Sequence, residues 1–168
     1  MVQEIYVENL KEVITNKKRI ETELNIKLTN KGKNVFATGK ADKEFIALEV
    51  LQAINLGFSA HSALELKNEL IILQTLNIKD ITKRNDLERV RARIIGTHGR
   101  TLKTLSNLTN CNLSLHDNQI GIIGPAEEMD DAIQSITSLV QGSKQGHVYG
   151  RLERHRKKKN QEEPLSEN

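Results

Sequence analysis

Two glycines three residues apart, Gly96 and Gly99, stand between two amphipathic segments and restrict most strongly what this chain can fold into. Because glycine has no Cβ, a turn with this spacing can bring its backbone close to another chain, while the amide N–H groups of the next helix face outwards. Arg93, Arg100 and Lys103 add positive charge around the turn. Taken alone, such glycines more often form an ordinary helix cap. With the flanking charge, they predict a clamp for single-stranded RNA.

The segments that follow the turn predict a fixed order of elements. Leucines at helical spacing predict a helix, alternating apolar residues predict two strands around a turn at 116–118, and a long apolar stripe predicts a last helix. These patterns rest on Leu102, Leu105 and Leu108, then on Leu113, Leu115 and residues 119–123, and finally on Met129, Ala132, Ile133, Ile136, Leu139 and Val140. Residues 70–76 or 76–81 supply an opening strand. This order resembles the type I K-homology (KH) domain, here over residues 70–143.

The first half of the chain is similar to the second half. A shift of 85 residues places Ile20 on Leu105, Leu28 on Leu113 and Gly39 on Gly124. In this register no Gly-x-x-Gly occurs; the turn falls at residues 11–14 or, with a shorter helix, at residues 15–18. We therefore expect an α+β fold of two tandem type I KH-like domains (βααββα), each a three-stranded sheet covered by helices. Residues 1–58 form a degenerate unit without the clamp, and residues 59–69 form a helical linker.

Charge is segregated along the chain. The formal net charge is only +3, but residues 83–103 hold seven basic and two acidic residues, and residues 144–159 hold seven and one. The sequence predicts a basic C-terminal extension at 144–159 whose arginines follow a phosphate backbone, although a disordered solubilising tail has the same composition. Residues 160–168 are expected to be disordered.

Composition excludes several classes of protein. Tryptophan is absent and aromatic residues make up 3% of the chain, which argues against RNA-binding sheets that stack bases on exposed aromatic rings. The single cysteine, Cys111, is expected to be a buried thiol. No metal-binding, P-loop or nucleophile-elbow motif is present, so we expect no enzyme activity, no cofactor and no metal. Without a signal-peptide pattern or a long apolar run, we expect a cytoplasmic protein without membrane contact.

Four segments extend the resemblance beyond the KH domain in general: residues 56–64, 92–101, 119–124 and 147–154. They resemble the archaeal two-KH proteins related to the eukaryotic pre-ribosomal RNA-processing factor that partners a PIN-domain endonuclease. The resemblance implies a ribosome small-subunit assembly factor that holds the 3′ region of small-subunit ribosomal RNA through its second KH domain. A PIN-domain endonuclease and a translation initiation factor are the protein partners to consider.

In the expected mechanism the two glycines allow the RNA backbone to approach closely, and exposed polar and basic residues contact its phosphates. Apolar residues form the floor of a groove that binds about four bases. The residues assigned to RNA binding are Arg93, Ile95, Gly96, Thr97, His98, Gly99, Arg100, Thr101, Lys103, Leu105, Leu113, Arg151, Arg154 and Arg156. Two other hypotheses remain open: an adaptor for a nuclease or translation factor with incidental RNA affinity, and a general RNA chaperone or regulator of messenger RNA.

Overall fold

A computed structural model describes residues 2–162 of the chain, which form an α+β fold with two three-stranded antiparallel sheets. The first half has the elements β1 (Gln3–Tyr6), α1 (Leu10–Thr15), α2 (Lys17–Leu24), β2 (Lys27–Lys31), β3 (Asn34–Thr38) and α3 (Ala41–Asn55). A short helix, α4 (Ala60–Ala63), and a 3₁₀ turn at Leu64–Lys67 connect the halves. The second half has β4 (Ile71–Asn77), α5 (Ile78–Ile81), α6 (Leu87–Ile95), α7 (Arg100–Thr109), β5 (Asn112–His116), β6 (Gln119–Pro125), α8 (Met129–Val140) and α9 (Gln145–Glu162).

The two halves repeat the same local geometry. Their strand orders are β1-β3-β2 and β4-β6-β5. Leu28 pairs with Ala37 in the first sheet, and Leu113 pairs with Ile122 in the second, so both pairs keep the shift of 85 residues. Asn25 and Asn110 occupy the same repeat position, and each ends its helix in the left-handed conformation that asparagine tolerates.

Both faces of the second sheet pack against other parts of the molecule. One face packs against α6 and α8 through Ile120 and Ile122, whereas Ile123 on the other face joins the core of the first half. A Cβ on Gly121 would lie 2.6 Å from a ring carbon of Phe58, so glycine allows the linker to pack tightly on this strand. Ser114 Oγ also donates a hydrogen bond to the Leu56 carbonyl at 2.8 Å. These contacts hold the two halves against each other.

The structure decides between two opening strands that the sequence left open, and it moves one predicted boundary. The opening strand is Ile71–Asn77, because Asn77 Oδ1 accepts a hydrogen bond from the Lys79 amide and starts a helical turn where residues 76–81 offered a second strand. Residues 160–162, which were predicted to be disordered, continue helix α9. The rest of that predicted tail, 163–168, lies outside the described residues. Within residues 2–162, no helix has the length and apolar character that a membrane span needs.

Candidate nucleic-acid interface

The Gly-x-x-Gly turn joins α6 to α7 through a single 3₁₀ turn, Thr97–Gly99. Helix α6 ends where the Gly96 amide donates to the Ala92 carbonyl at 2.8 Å. The backbone angle φ is positive at Gly96, His98 and Gly99, at 75°, 54° and 73° respectively. Three residues of four with a positive φ make the chain reverse sharply, so α7 starts directly beside the end of α6.

Gly96 is required by the packing beneath the turn. A Cβ at this position would lie 2.1 Å from Thr101 Oγ1 and 2.8 Å from the Thr101 backbone nitrogen. Thr101 itself is buried, and its Oγ1 accepts a hydrogen bond from Gln145 Nε2 at 2.9 Å. The Thr101 side chain therefore supports the turn from below, and the assignment of Thr101 to RNA binding stays a prediction. The contribution of Gln145 was missed, since nothing in the local sequence links it to the turn.

Gly99 faces open space instead. A Cβ built on Gly99 has no neighbouring atom within 4 Å, so this side of the turn can be approached closely. Thr97, His98 and Arg100 are exposed around it. No side chain caps the N-terminus of the ten-residue helix α7, although the Arg100 amide already donates to the Thr97 carbonyl. The positive end of the helix dipole therefore faces this surface. Together with exposed Lys103, this surface has the chemistry of a phosphate site.

Arg93 has a structural partner. Its Nη2 donates to the carbonyl of Gly142 at 3.1 Å and also to the carbonyl of Ser143, in the connection between α8 and α9. Arginine side chains often hold the last carbonyls of a helix in this way, because the positive charge complements the helix dipole. This contact fixes the start of α9, and the assignment of Arg93 to RNA binding stays a prediction.

The apolar part of the site also differs from the prediction. Leu105 is fully buried in a cluster with Leu139, Val148 and Leu152, so it cannot form the floor of a groove for bases. Ile95 is 38% exposed and Leu113 is half-buried, which keeps both at the surface of this region. Two half-buried leucines, Leu102 and Leu115, also lie at the apolar surface between α7 and β5. They were not predicted as site residues, although the regular spacing of the leucines was a signal for them.

Helix α9 runs parallel to α7, away from the turn. Its first residue, Gln145, reaches Thr101 at the start of α7, whereas Arg156 and Lys159 line a cleft with Asn107 and Leu108 near the end of α7. The helix spans 18 residues, or about 27 Å at the usual rise of 1.5 Å per residue. The basic residues of α9 are therefore spread along the flank of the second half.

Two basic residues of α9 contact side chains of α8 or of the residue just before it. Arg151 Nη2 donates to Ser135 Oγ at 3.0 Å, and the assignment of Arg151 to RNA binding stays a prediction. Lys159 Nζ lies 3.1 Å from Glu128 Oε2 and 3.5 Å from Asp131 Oδ2. Partial burial on its own lowers the pKa of Lys159, but the hydrogen bond to Glu128 and the charges of Glu128 and Asp131 raise the pKa above its ordinary value. Arg154 and Arg156 remain exposed.

The equivalent turn of the first half has a different geometry. Helix α1 ends at Thr15 and α2 begins at Lys17, so Asn16 alone makes the junction, with φ at −106°. Lys17 and Lys18 are exposed there. No residue between 10 and 24 has a positive φ, and the close backbone approach seen at Gly99 has no counterpart in this junction.

Two further features limit the chemistry that the described residues carry. Cys111 is buried, and burial raises the pKa of its thiol to about 11, so it is neutral at ordinary pH and unsuited to nucleophilic chemistry. Among residues 2–162 no group of three or more histidine, cysteine, aspartate or glutamate side chains is arranged to hold a metal ion.

Comparison with known proteins places this geometry among KH domains. A family model for the second KH domain of PNO1, described as a eukaryotic type KH domain (KH-domain type I), matches residues 72–157. The KH domain-containing protein MJ0443 of Methanocaldococcus jannaschii is 30% identical over 149 residues, which cover 84% of this chain and 66% of that protein. The pre-rRNA-processing protein PNO1 of Coccidioides immitis is 33% identical over 141 residues, which cover 80% of this chain and 54% of that protein. The chain thus spans between half and two thirds of the length of these relatives.

A solved structure is similar over almost the whole chain. The complex of a/eIF2alpha, aDim2p and rRNA from Pyrococcus horikoshii matches with a TM-score of 0.84 and 29% sequence identity, covering 94% of this chain and 95% of the matched chain. The likeness includes both three-stranded sheets, because it extends far beyond the 86 residues of the family match.

Proposed function

This chain belongs to the PNO1-type family of type I KH domains, and we propose that it is a single-stranded RNA-binding factor of small-subunit ribosome assembly and pre-rRNA processing. Residues 70–143 form the RNA-binding KH domain. Residues 1–58 form a second βααββα unit in tandem with it, without the glycine clamp. The shared sheet order and register of the two halves support the tandem arrangement.

The observation that carries this proposal is the open face of the turn at Gly99. An RNA backbone lies against this face, where a Cβ would have no neighbouring atom within 4 Å. Its phosphates meet Thr97, His98 and Arg100 at the positive end of the α7 dipole. Splayed bases then lie on the apolar surface beside Ile95 and Leu113, as unpaired bases do in KH grooves.

Relatives indicate the target. Those most similar in sequence include proteins named for pre-rRNA processing, and the archaeal relative of similar structure forms a complex with rRNA and a/eIF2alpha. We therefore assign the 3′ region of small-subunit rRNA as the bound strand, and a translation initiation factor or a PIN-domain endonuclease as the protein partner. In this role the protein acts by binding, without catalysis, and works in the cytoplasm where ribosomal subunits mature.

The exposed basic face of α9 contributes phosphate contacts outside the groove. Arg154 and Arg156 are free of the contacts that hold Arg151. Each phosphate contact adds about 0.7 to the slope of log affinity against log salt for a single strand. Replacing both arginines with glutamine lowers this slope by about 1 to 1.5 and leaves the base preference unchanged, because backbone contacts position the strand and base contacts specify it.

The test is a titration of the purified chain with the 3′-terminal segment of small-subunit rRNA and with a scrambled strand of equal length, at several salt concentrations. The proposal predicts tighter binding of the rRNA segment at every salt concentration. Equal affinity for both strands rejects the assigned target and favours a general RNA-binding protein. No binding of either strand rejects the RNA function and favours an adaptor role.

A further inference from the structure

A cleft of about 430 Å³ lies between the two halves of the molecule, beside the turn that joins β5 to β6. Tyr6 and Glu8 of the first half form one wall, and Asp117 and Gln119 of the second half form the other. We call this the interunit cleft. Its volume is in the range of small-ligand sites, and one nucleobase with its sugar fits inside it.

The interunit cleft is connected to the proposed RNA groove through Asn118. The Asn118 carbonyl accepts a hydrogen bond from the Ile78 amide at 2.8 Å on the cleft side, and its Oδ1 accepts one from Arg91 Nη1 of helix α6. Arg91 precedes Gly96 by five residues, which is about 7.5 Å along the helix. A strand that passes over the turn and along α6 therefore meets the mouth of the cleft with its neighbouring nucleotides.

The side chains of the cleft favour a base over a phosphate. Tyr6 is 56% exposed at the end of β1, whereas the chain's other tyrosine, Tyr149, packs against the cluster beneath α9. An exposed ring is a platform on which a base can stack. Glu8 and Asp117 are carboxylates that repel a phosphate and accept hydrogen bonds from the exocyclic amine of a base. Lys79 lines the same cleft and is exposed, so it can contact the phosphate that flanks that base.

The carboxylates are already positioned toward the cleft. His116 Nε2 lies 3.0 Å from Glu8 Oε2 and 3.6 Å from Asp117 Oδ2, so one imidazole links the two acidic side chains across the two halves. The Asp117 side chain remains 85% exposed, which leaves it available to a ligand. Gln119 also lines the cleft. Its side chain is exposed, and its amide makes no hydrogen bond within the described residues 2–162.

We propose that the interunit cleft binds one amine-bearing nucleobase, adenine, cytosine or guanine, of the same strand that the Gly96–Gly99 turn holds. This inference rests on the proposed RNA-binding function. The base stacks on Tyr6, its amine donates to Asp117 or Glu8, and the flanking phosphate pairs with Lys79. The two halves then read one continuous strand, although only the second half carries a glycine clamp.

The experiment measures fluorescence anisotropy of labelled oligoadenylate, oligocytidylate and oligouridylate of four and eight nucleotides with the full chain. Tyr6→Ala is the test variant, and Phe45→Ala is its control, since Phe45 is an aromatic residue of α3 with a similar exposure of 62%. Loss of base stacking predicts a fall of about tenfold in the affinity for octamers in Tyr6→Ala. Tetramer affinity changes less than twofold, and Phe45→Ala matches the wild type.

A second variant tests the amine contact. Asp117 has a φ of 52°, a conformation that asparagine tolerates, so Asp117→Asn keeps the fold and removes the charge. The new carboxamide still accepts from an amine but can also donate to the O4 atom of uracil, so this variant shows a smaller preference for octamers of adenine or cytosine over uracil. An octamer affinity that neither variant changes by twofold overturns the inference and leaves the RNA function intact. A wild-type chain that binds none of the oligonucleotides overturns the RNA function, and the inference with it.

Discussion

Replacing the two glycines of the turn one at a time separates their structural roles. Gly99 has φ 73° and ψ 12°, close to the left-handed helical region. Gly96 has φ 75° and ψ 174°, a combination that is essentially confined to glycine. A methyl group on Gly99 meets no atom, whereas one on Gly96 overlaps Thr101.

These geometries give different free energies of unfolding. Gly99→Ala carries only the left-handed penalty of about 1–2 kcal/mol, and Gly99→Asn costs less because asparagine visits this conformation readily. Gly96→Ala combines up to about 3 kcal/mol of backbone strain with a clash against Oγ1, Cβ and the backbone nitrogen of Thr101. For a chain of this size, each kcal/mol lowers the melting temperature by about 2–4 °C.

At Gly99, RNA binding and stability respond differently to a substitution. Gly99→Asn keeps a stable fold but places a side chain where the RNA backbone approaches, so its affinity for a single-stranded octamer falls by at least about tenfold, or about 1.4 kcal/mol. Urea unfolding followed by circular dichroism and anisotropy titration measure the two quantities on the same samples. Equal unfolding free energies for Gly96→Ala and Gly99→Ala, or wild-type affinity in Gly99→Asn, would refute this account of the turn.

Three other predictions concern α9, the thiol and the first half. Leu152→Ala lowers the free energy of unfolding in urea by about 2–4 kcal/mol, because Leu152 lies on the buried face of α9, while the control Lys158→Ala changes it by less than about 0.5 kcal/mol. Burial raises the pKa of the Cys111 thiol from 9.0 to about 11, so the native state keeps a proton that the unfolded state loses. Stability therefore falls as pH rises through 9 to 11, and Cys111→Ala shows a smaller fall. Lys18→Glu weakens RNA binding far less than Arg100→Glu in the same titration; a larger loss at Lys18 would place the site in the first half.

The sequence predicted the turn well because its determinants are local. Glycine spacing and the exposed residues at 97, 98 and 100 depend on few neighbours, and the structure presents them on one surface. The repeat was equally visible, since the shift of 85 residues that aligns Leu28 with Leu113 also aligns their strand partners.

The sequence could not predict the partners that come from distant elements. Leucine spacing shows that α7 has an apolar face, but Leu105 packs in a cluster that α9 completes. The charged residues of α9 are also typical of a solvated tail, so this packing could not be predicted. Arg93 and Arg151 were assigned by charge alone, and their acceptors at Ser143 and Ser135 become neighbours only when α8 packs beside α6 and α9. Helix α9 continues past residue 160 because Lys159 is anchored to two carboxylates of the preceding helical segment.

The most direct measurement of the central claim compares one RNA sequence as a single strand and as a blunt duplex, with the wild type and with a Thr97→Asp/His98→Asp variant. Both residues are exposed, so circular dichroism is expected to be unchanged. The account predicts that the wild type prefers the single strand and that the variant loses at least about tenfold in affinity, because two carboxylates then face the phosphates. Equal affinity for the duplex, or a loss of less than about threefold, roughly 0.65 kcal/mol, would contradict it.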